Sequence, residues 1–337
     1  LRKKHSLDVN KNKLIKEILE TESRKLHDLS ISKNQKRDYI TSRRDIYERA
    51  VKNGFLAIMG GAGTGKTEAI VNLVKLFSST GIKPIIVLTP TGKSALIIED
   101  RLRDRGLSGE CYVATIHRFL YSYYFEKFGR FKRSEFAKLI NLIDRTMNDI
   151  RWFNEFQRYI SRHKGLKFNL KVIIIDEASM VDELLLALLF SVINVDALEH
   201  LVIVGDYNQL PPIGLGKPFV DIVNYLKEHN YKHIVLLDTP IRFSLNSGIW
   251  AFSQVFASAG KIVINPDIYV DDTFKIEYFE SEEDLKSKLK EIFQSVLGEK
   301  RRGSRELLDM LNKIMGLGYL SEPRLERIQI LTPTRYG

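Results

Sequence analysis

Gly60-Gly61-Ala62-Gly63-Thr64-Gly65-Lys66-Thr67 is the stretch that decides the fold. It has the form G-x-x-x-x-G-K-[ST], and its flanks give that form a meaning. Phe55, Leu56, Ala57, Ile58 and Met59 precede it as an apolar run that reads as a buried strand. Residues 68–77 follow with the spacing of an amphipathic helix. A strand feeding a helix through this loop predicts a phosphate site. The glycines let backbone N–H groups point inward, because no Cβ blocks the approach. The helix N-terminus adds its partial positive charge. Lys66 is placed to neutralise β- and γ-phosphates, and the Thr67 hydroxyl to ligate Mg²⁺. ATP and Mg²⁺ are the implied ligands, with residues 60–67 as the cradle.

Working outward, short β-branched runs alternate with helical patterns. Residues 84–88, 171–175, 200–204 and 233–237 read as strands, and 328–331 as a final one. Near-continuous apolar strands separated by helices predict a parallel sheet covered on both faces, so the fold class is α/β. Residues 1–53 read as a polar helical region. A first lobe then spans 54–235, and 236–337 begins a second. Residues 121–170 interrupt the rhythm and read as a mostly helical insertion. There Tyr121, Tyr123, Tyr124, Phe125, Phe128 and Phe131 interleave with Lys127, Arg130, Lys132 and Arg133. Base stacking with phosphate pairing uses such a mixture. Packing of an amphipathic helix uses it equally well and is favoured here.

Two more segments carry nucleotide chemistry. Residues 173–175 deliver Asp176 and Glu177 at a strand's C-terminal end, where ligands of such sheets bind. Asp176 would hold Mg²⁺ through water, and Glu177 would orient and deprotonate the attacking water. After the next strand come Gly205-Asp206-Tyr207-Asn208-Gln209-Leu210-Pro211-Pro212. The Gln209 amide can sense a γ-phosphate without adding charge. Thr89-Pro90-Thr91-Gly92-Lys93 and Ala114-Thr115-Ile116-His117-Arg118-Phe119 place hydroxyls and bases at loop positions that suit backbone phosphates. Taken singly, Thr115 and His117 read equally well as local caps. Arg242 by itself reads as a surface arginine.

The chain has 337 residues and a formal charge of +10. Residues 1–53 hold 15 Lys or Arg against 8 Asp or Glu, and residues 121–171 hold 12 against 5. Residues 172–337 reverse the balance, with 17 against 24. A positive field in the first half suits a polyanion, above all nucleic acid. Cys111 is the single cysteine, which excludes a disulfide framework and a thiol-rich metal site. The apolar run Leu184 to Ile193 is too short to span a bilayer, and no apolar signal segment is read near the N-terminus. No membrane role is expected, and the localisation reads as cytoplasmic. A chain beginning with Leu1 reads as a piece of something longer.

In order and spacing, residues 35–337 resemble the RecD/TraA family of superfamily 1 DNA helicases. The resemblance is carried by Gly60 to Thr67, Pro90 to Ala95, Ala114 to Phe119, Ile175 to Asp182, Gly205 to Ile213, Ile241-Arg242-Phe243, Ser247-Gly248-Ile249 and Leu331 to Gly337. It implies two RecA-like lobes with ATP between them, single-stranded DNA across their tops, and 5′-to-3′ movement on 5′-tailed duplexes. By position, Gln35 resembles the adenine-reading glutamine and Arg242 the arginine finger. Gln209 couples nucleotide to DNA. Pro90, Thr91, Thr115 and His117 resemble DNA contacts of the first lobe, and Thr332 and Arg335 those of the second. A nuclease or recombination partner in DNA repair is the implied company. The family's T-x-H-K-x-Q-G stretch, its final arginine motif and its SH3-like insertion have no counterpart here, so the second lobe reads as incomplete. That incompleteness leaves a second class open: an ATPase switch or loading subunit without unwinding of its own.

Overall fold

The computed structural model describes residues 2–28, 31–123, 133–163, 167–229, 232–241, 247–257, 270–272 and 274–297. The chain divides into two compact units, 1–260 and 261–337. The first holds a six-stranded, all-parallel sheet in the order β3-β2-β4-β5-β1-β6. In chain order the strands are β1 (Phe55–Gly60), β2 (Ile85–Thr89), β3 (Tyr112–Thr115), β4 (Val172–Ile175), β5 (His200–Gly205) and β6 (Ile234–Leu237). Five match the apolar runs. The sixth, β3, includes the threonine expected in a loop: Thr115 ends the strand and pairs with Thr89 of β2. The expected strand at 328–331 lies outside the described residues.

Alternating strand residues feed two cores, as the pleat requires. On one face Leu56, Ile58, Val87, Ile174 and Val204 meet helices α1 (Arg2–Lys25), α2 (Lys33–Lys52), α3 (Lys66–Ser79) and α4 (Gly92–Asp104). On the other, Ala57, Leu88, Ile173, Ile175 and Ile203 meet α5 (Arg133–Asn148), α6 (Phe153–Arg162), α7 (Glu183–Ser191) and α8 (Pro218–Glu228). Both faces are thus covered, which is why the strands lack polar alternation.

The N-terminal helices join the first core through Ile15, Ile18, Leu19, Ile46, Tyr47 and Ala50. The described part of the insertion contributes Leu139, Leu142, Ile143, Phe156 and Ile160 to the second core, so α5 and α6 act as a covering layer. Most of the aromatic and basic cluster, residues 124–132, lies outside the described residues. Helix α9 (Gly248–Ala257) comes last in the first unit, and the described helix of the second is α10 (Glu282–Leu297). Among the described residues, no helix is long and apolar enough to cross a membrane.

Candidate nucleotide site and nucleic-acid edge

Among the described residues, the five motif segments from Gly60 to Ile213 issue from the C-terminal ends of strands in the one parallel sheet. Read across the sheet, Thr115 ends β3, Pro90 and Thr91 follow β2, Asp176 and Glu177 follow β4, Asp206 to Gln209 follow β5, and the phosphate loop follows β1. Loops outside the carboxyl ends of parallel strands are where such sheets hold ligands.

The phosphate loop turns on glycine conformations. Gly65 caps α3 with φ of 80°, a left-handed value that a side chain rarely adopts. The Thr64 hydroxyl closes the turn by donating to the Gly61 carbonyl at 2.8 Å. Lys66 is nearly buried and donates to the carbonyls of Gly60 at 2.8 Å and Gly61 at 3.1 Å. Its ammonium also lies 3.7 Å from Asp206 Oδ2. Ala62 is exposed, and Gly63 accepts at its carbonyl from Ile241 N–H at 2.9 Å. Thr67 is half-buried in the first turn of α3.

Asp176 is buried, and its Oδ1 accepts from Glu177 N–H at 2.9 Å. Burial, then the neighbouring Glu177 charge, pushes the Asp176 carboxyl up to about 7, against the opposing pull of that N–H and of Lys66. Glu177 is the one non-glycine residue among those described with positive φ, at 50°. A left-handed non-glycine residue costs about 1–3 kcal/mol and persists where the surroundings over-determine it. Its Oε2 is buried without a hydrogen-bond partner. A strained carboxylate with an unpartnered buried oxygen, beside a second buried carboxyl, is an oxygen-only donor set that fits Mg²⁺ and a polarised water. Among the described residues, no group of three or more His, Cys, Asp or Glu is arranged so that it could hold a metal ion. Mg²⁺ sites use only one or two carboxylates plus phosphates and water, so Thr67 and Asp176 suffice as the protein's share.

Ser179 ties the tips of β4 and β5 together. Its Oγ donates to Gln209 Oε1 and accepts from Asp206 N–H, both at 3.4 Å. Gln209 is therefore linked to the residues beside Lys66. Asp206 and Ser179 lie inside motifs quoted from the sequence but carry no assignment there. Both are buried polar groups in contact with assigned ones.

Gln35 sits in the first turn of α2. Its Oε1 accepts from Ser32 N–H at 2.8 Å while Ser32 Oγ accepts from Gln35 N–H at 3.2 Å, a reciprocal cap. The residue of α2 that touches the phosphate loop lies two turns on: Arg43 Nη2 donates to the carbonyls of Thr64 at 2.7 Å and Gly65 at 2.8 Å. Sequence reasoning passed over Arg43. The available signal was its place on the apolar stripe Tyr39, Ile46, Tyr47 and Ala50.

The register Thr89↔Thr115 sets the two expected DNA-contacting segments side by side. Thr91 caps α4, accepting from Ser94 N–H at 3.3 Å. Thr115 caps the following turn, accepting from Arg118 N–H at 3.0 Å. His117 is exposed, and Pro90 is half-buried. The local-cap reading and the contact reading are compatible, because a cap fixes the loop that presents its neighbours. Arg242, Thr332 and Arg335 lie outside the described residues.

The AAA domain family (AAA_19) matches residues 43–215. An uncharacterized protein of Methanocaldococcus jannaschii, MJ1519, is 33% identical over 238 residues, covering 70% of this chain and 17% of that protein. The RecBCD enzyme subunit RecD of Buchnera aphidicola is 24% identical over 216 residues, covering 63% of this chain and 32% of the relative. Among solved structures, the Pif1 helicase from Candida albicans aligns at 21% identity and a TM-score of 0.30, over 62% of this chain and 40% of that one. The chain spans a third or less of the length of the first two relatives.

Proposed function

Because this chain belongs to the AAA domain family, we propose that it is the ATP-binding lobe of a RecD-like DNA helicase whose hydrolysis is stimulated by single-stranded DNA and drives 5′-to-3′ movement. The observation that carries this reading is the single sheet edge on which the phosphate loop, the carboxylate pair, the Gln209 segment and the Thr91 and Thr115 turns are aligned.

Residues 60–67 bind the triphosphate through backbone N–H groups, with Lys66 exchanging its loop carbonyls for phosphate oxygens. Thr67 and Asp176 would hold Mg²⁺, which would supply charge neutralisation to the triphosphate. Glu177 orients the attacking water and takes its proton at the unpartnered Oε2. Arg242 serves as the arginine finger. Ile241, the residue before it, donates its N–H to the Gly63 carbonyl of the phosphate loop, which supports that role. Ser179 links Asp206, which faces Lys66, to Gln209. Pro90, Thr91, Thr115 and His117 grip the strand on this lobe, and Thr332 and Arg335 on a second lobe that begins near residue 236. A nuclease or recombination partner is part of the same proposal; one relative's name, RecBCD enzyme subunit RecD, makes that relative a subunit of a larger enzyme.

The test is ATP turnover with and without single-stranded DNA, followed by strand displacement on 5′- and 3′-tailed duplexes. Turnover that rises with DNA and displacement confined to the 5′ tail are expected. Turnover indifferent to DNA would refute the motor, and displacement from the 3′ tail would refute the direction.

A further inference from the structure

When the N–H groups of a phosphate loop face the phosphates, its carbonyls face the other way. Buried carbonyls still need donors. A single Arg43 Nη2 reaches both residues before Lys66, donating to the Thr64 carbonyl at 2.7 Å and to the Gly65 carbonyl at 2.8 Å, and the latter also accepts from Ala69 N–H at 3.2 Å. The Arg43 side chain is fully buried, with its guanidinium 4.5 Å from the Tyr39 ring centre. Its Nε faces Glu22 Oε1 at 3.9 Å. Glu22 belongs to α1 and is itself 3% exposed, so two charged groups are buried here together. Tyr47 and Asn72 each donate to Glu22 Oε1 at 2.9 Å, while Oε2 has no hydrogen-bond partner.

We propose that Arg43 is a positioning residue for the phosphate loop, and that Glu22 orients Arg43, which makes the N-terminal helix part of the nucleotide site. The proposal rests on the ATP-binding reading above. Burying a guanidinium and a carboxylate carries a large desolvation cost, and an aliphatic residue would fill the stripe on α2 more cheaply. The pair is retained where its donors meet loop carbonyls. The loop is fitted to it in turn: a Cβ on Gly65 would stand 2.5 Å from Arg43 Nη2. The carboxylate is held at a cost, since burial pushes Glu22 up to about 7. The groups facing it are Arg43, Tyr39 and Tyr47 from α2 and Asn72 and Glu68 from α3. Above that value its negative charge restrains the guanidinium. Below it, the restraint is lost.

The experiment measures binding of a fluorescent ATP analogue and hydrogen exchange in the wild type, Arg43→Gln, Arg43→Lys and Glu22→Gln. Loss of a charge-assisted donor predicts binding about tenfold weaker or more in Arg43→Gln. Exchange should rise in residues 61–67 and stay unchanged in β4. Arg43→Lys, which keeps the charge but loses the fork, should fall between, and it decides the matter should Arg43→Gln not fold. Glu22→Gln should weaken binding about threefold near pH 8 and leave it unchanged near pH 6. Affinity within twofold of wild type in both Arg43 variants overturns the proposal. So does exchange that rises equally in every strand, which marks Arg43 as merely structural. A wild type that binds no ATP overturns instead the nucleotide reading beneath it.

Discussion

Glu22→Gln should make the protein more stable and a worse nucleotide binder at the same pH. The substitution keeps the shape and the acceptor that Tyr47 and Asn72 use. It removes the negative charge facing Arg43 and, with it, the titration. Burial raises the Glu22 carboxyl from 4.5 to about 7 in the folded chain, so folding takes up a proton between those values. The folded state binds more protons there than the unfolded state, and wild-type stability therefore falls as pH rises from about 4.5 to about 7. Above about 7 the loss is complete. A difference of that size is about 3 kcal/mol. The neutral amide of the variant suffers no such loss, so the variant should equal wild type near pH 4.5 and exceed it by about 3 kcal/mol near pH 8. In a thermal melt of a protein this large, at about 2.1 cal/mol/K of unfolding entropy per residue, that is roughly 4–6 °C. Melts at a series of pH values, with wild type and variant side by side, read the difference directly. A gap that stays constant with pH, or a variant less stable than wild type near pH 8, would refute the buried-carboxyl argument. Stability given up at a position that orders a functional loop is the usual trade between the two.

Glu177→Gln should keep ATP binding and lower turnover about 10²- to 10⁴-fold, as loss of a general base does, measured by phosphate release against analogue binding. Lys66→Ala should lose both, because its ammonium is the loop's own cation. Equal binding in that variant would contradict the assignment. Gly65→Ala meets both a left-handed backbone and Arg43 Nη2, so it should cost about 1–3 kcal/mol in a denaturant titration. Leu188→Ala removes a fully buried side chain of α7 from the second core and should cost about 2–5 kcal/mol in the same titration.

The sheet was legible because its strands are buried on both faces, so Ile173, Ile174 and Ile175 stand in an unbroken apolar run. β3 was not. Its four residues include Tyr112 and Thr115, and it is held by pairing to β2 rather than by an apolar run of its own. Phosphate-loop and carboxylate residues announce themselves because the chemistry fixes residue type and spacing together. Arg43 does not, since Arg37, Arg44 and Arg49 on the same helix look alike in sequence. What separates Arg43 from its exposed neighbour Arg44 is which side of α2 meets the sheet. Glu22 hides for the same reason. It falls on the stripe of Ile15, Ile18, Leu19 and Leu26, where an acid reads as an interruption until a partner on another helix is seen.

Four inter-strand steps separate the loop after β1 from the turn after β3. At about 4.8 Å each, that is roughly 19 Å of lateral separation, too far for fuel and track to touch. Whatever one end learns of the other must cross the tips of β4 and β5, where Ser179 forms a hydrogen-bonded bridge. A lesion there, such as Ser179→Ala, should leave each grip intact and disconnect them, giving an engine that burns ATP without regard to its load.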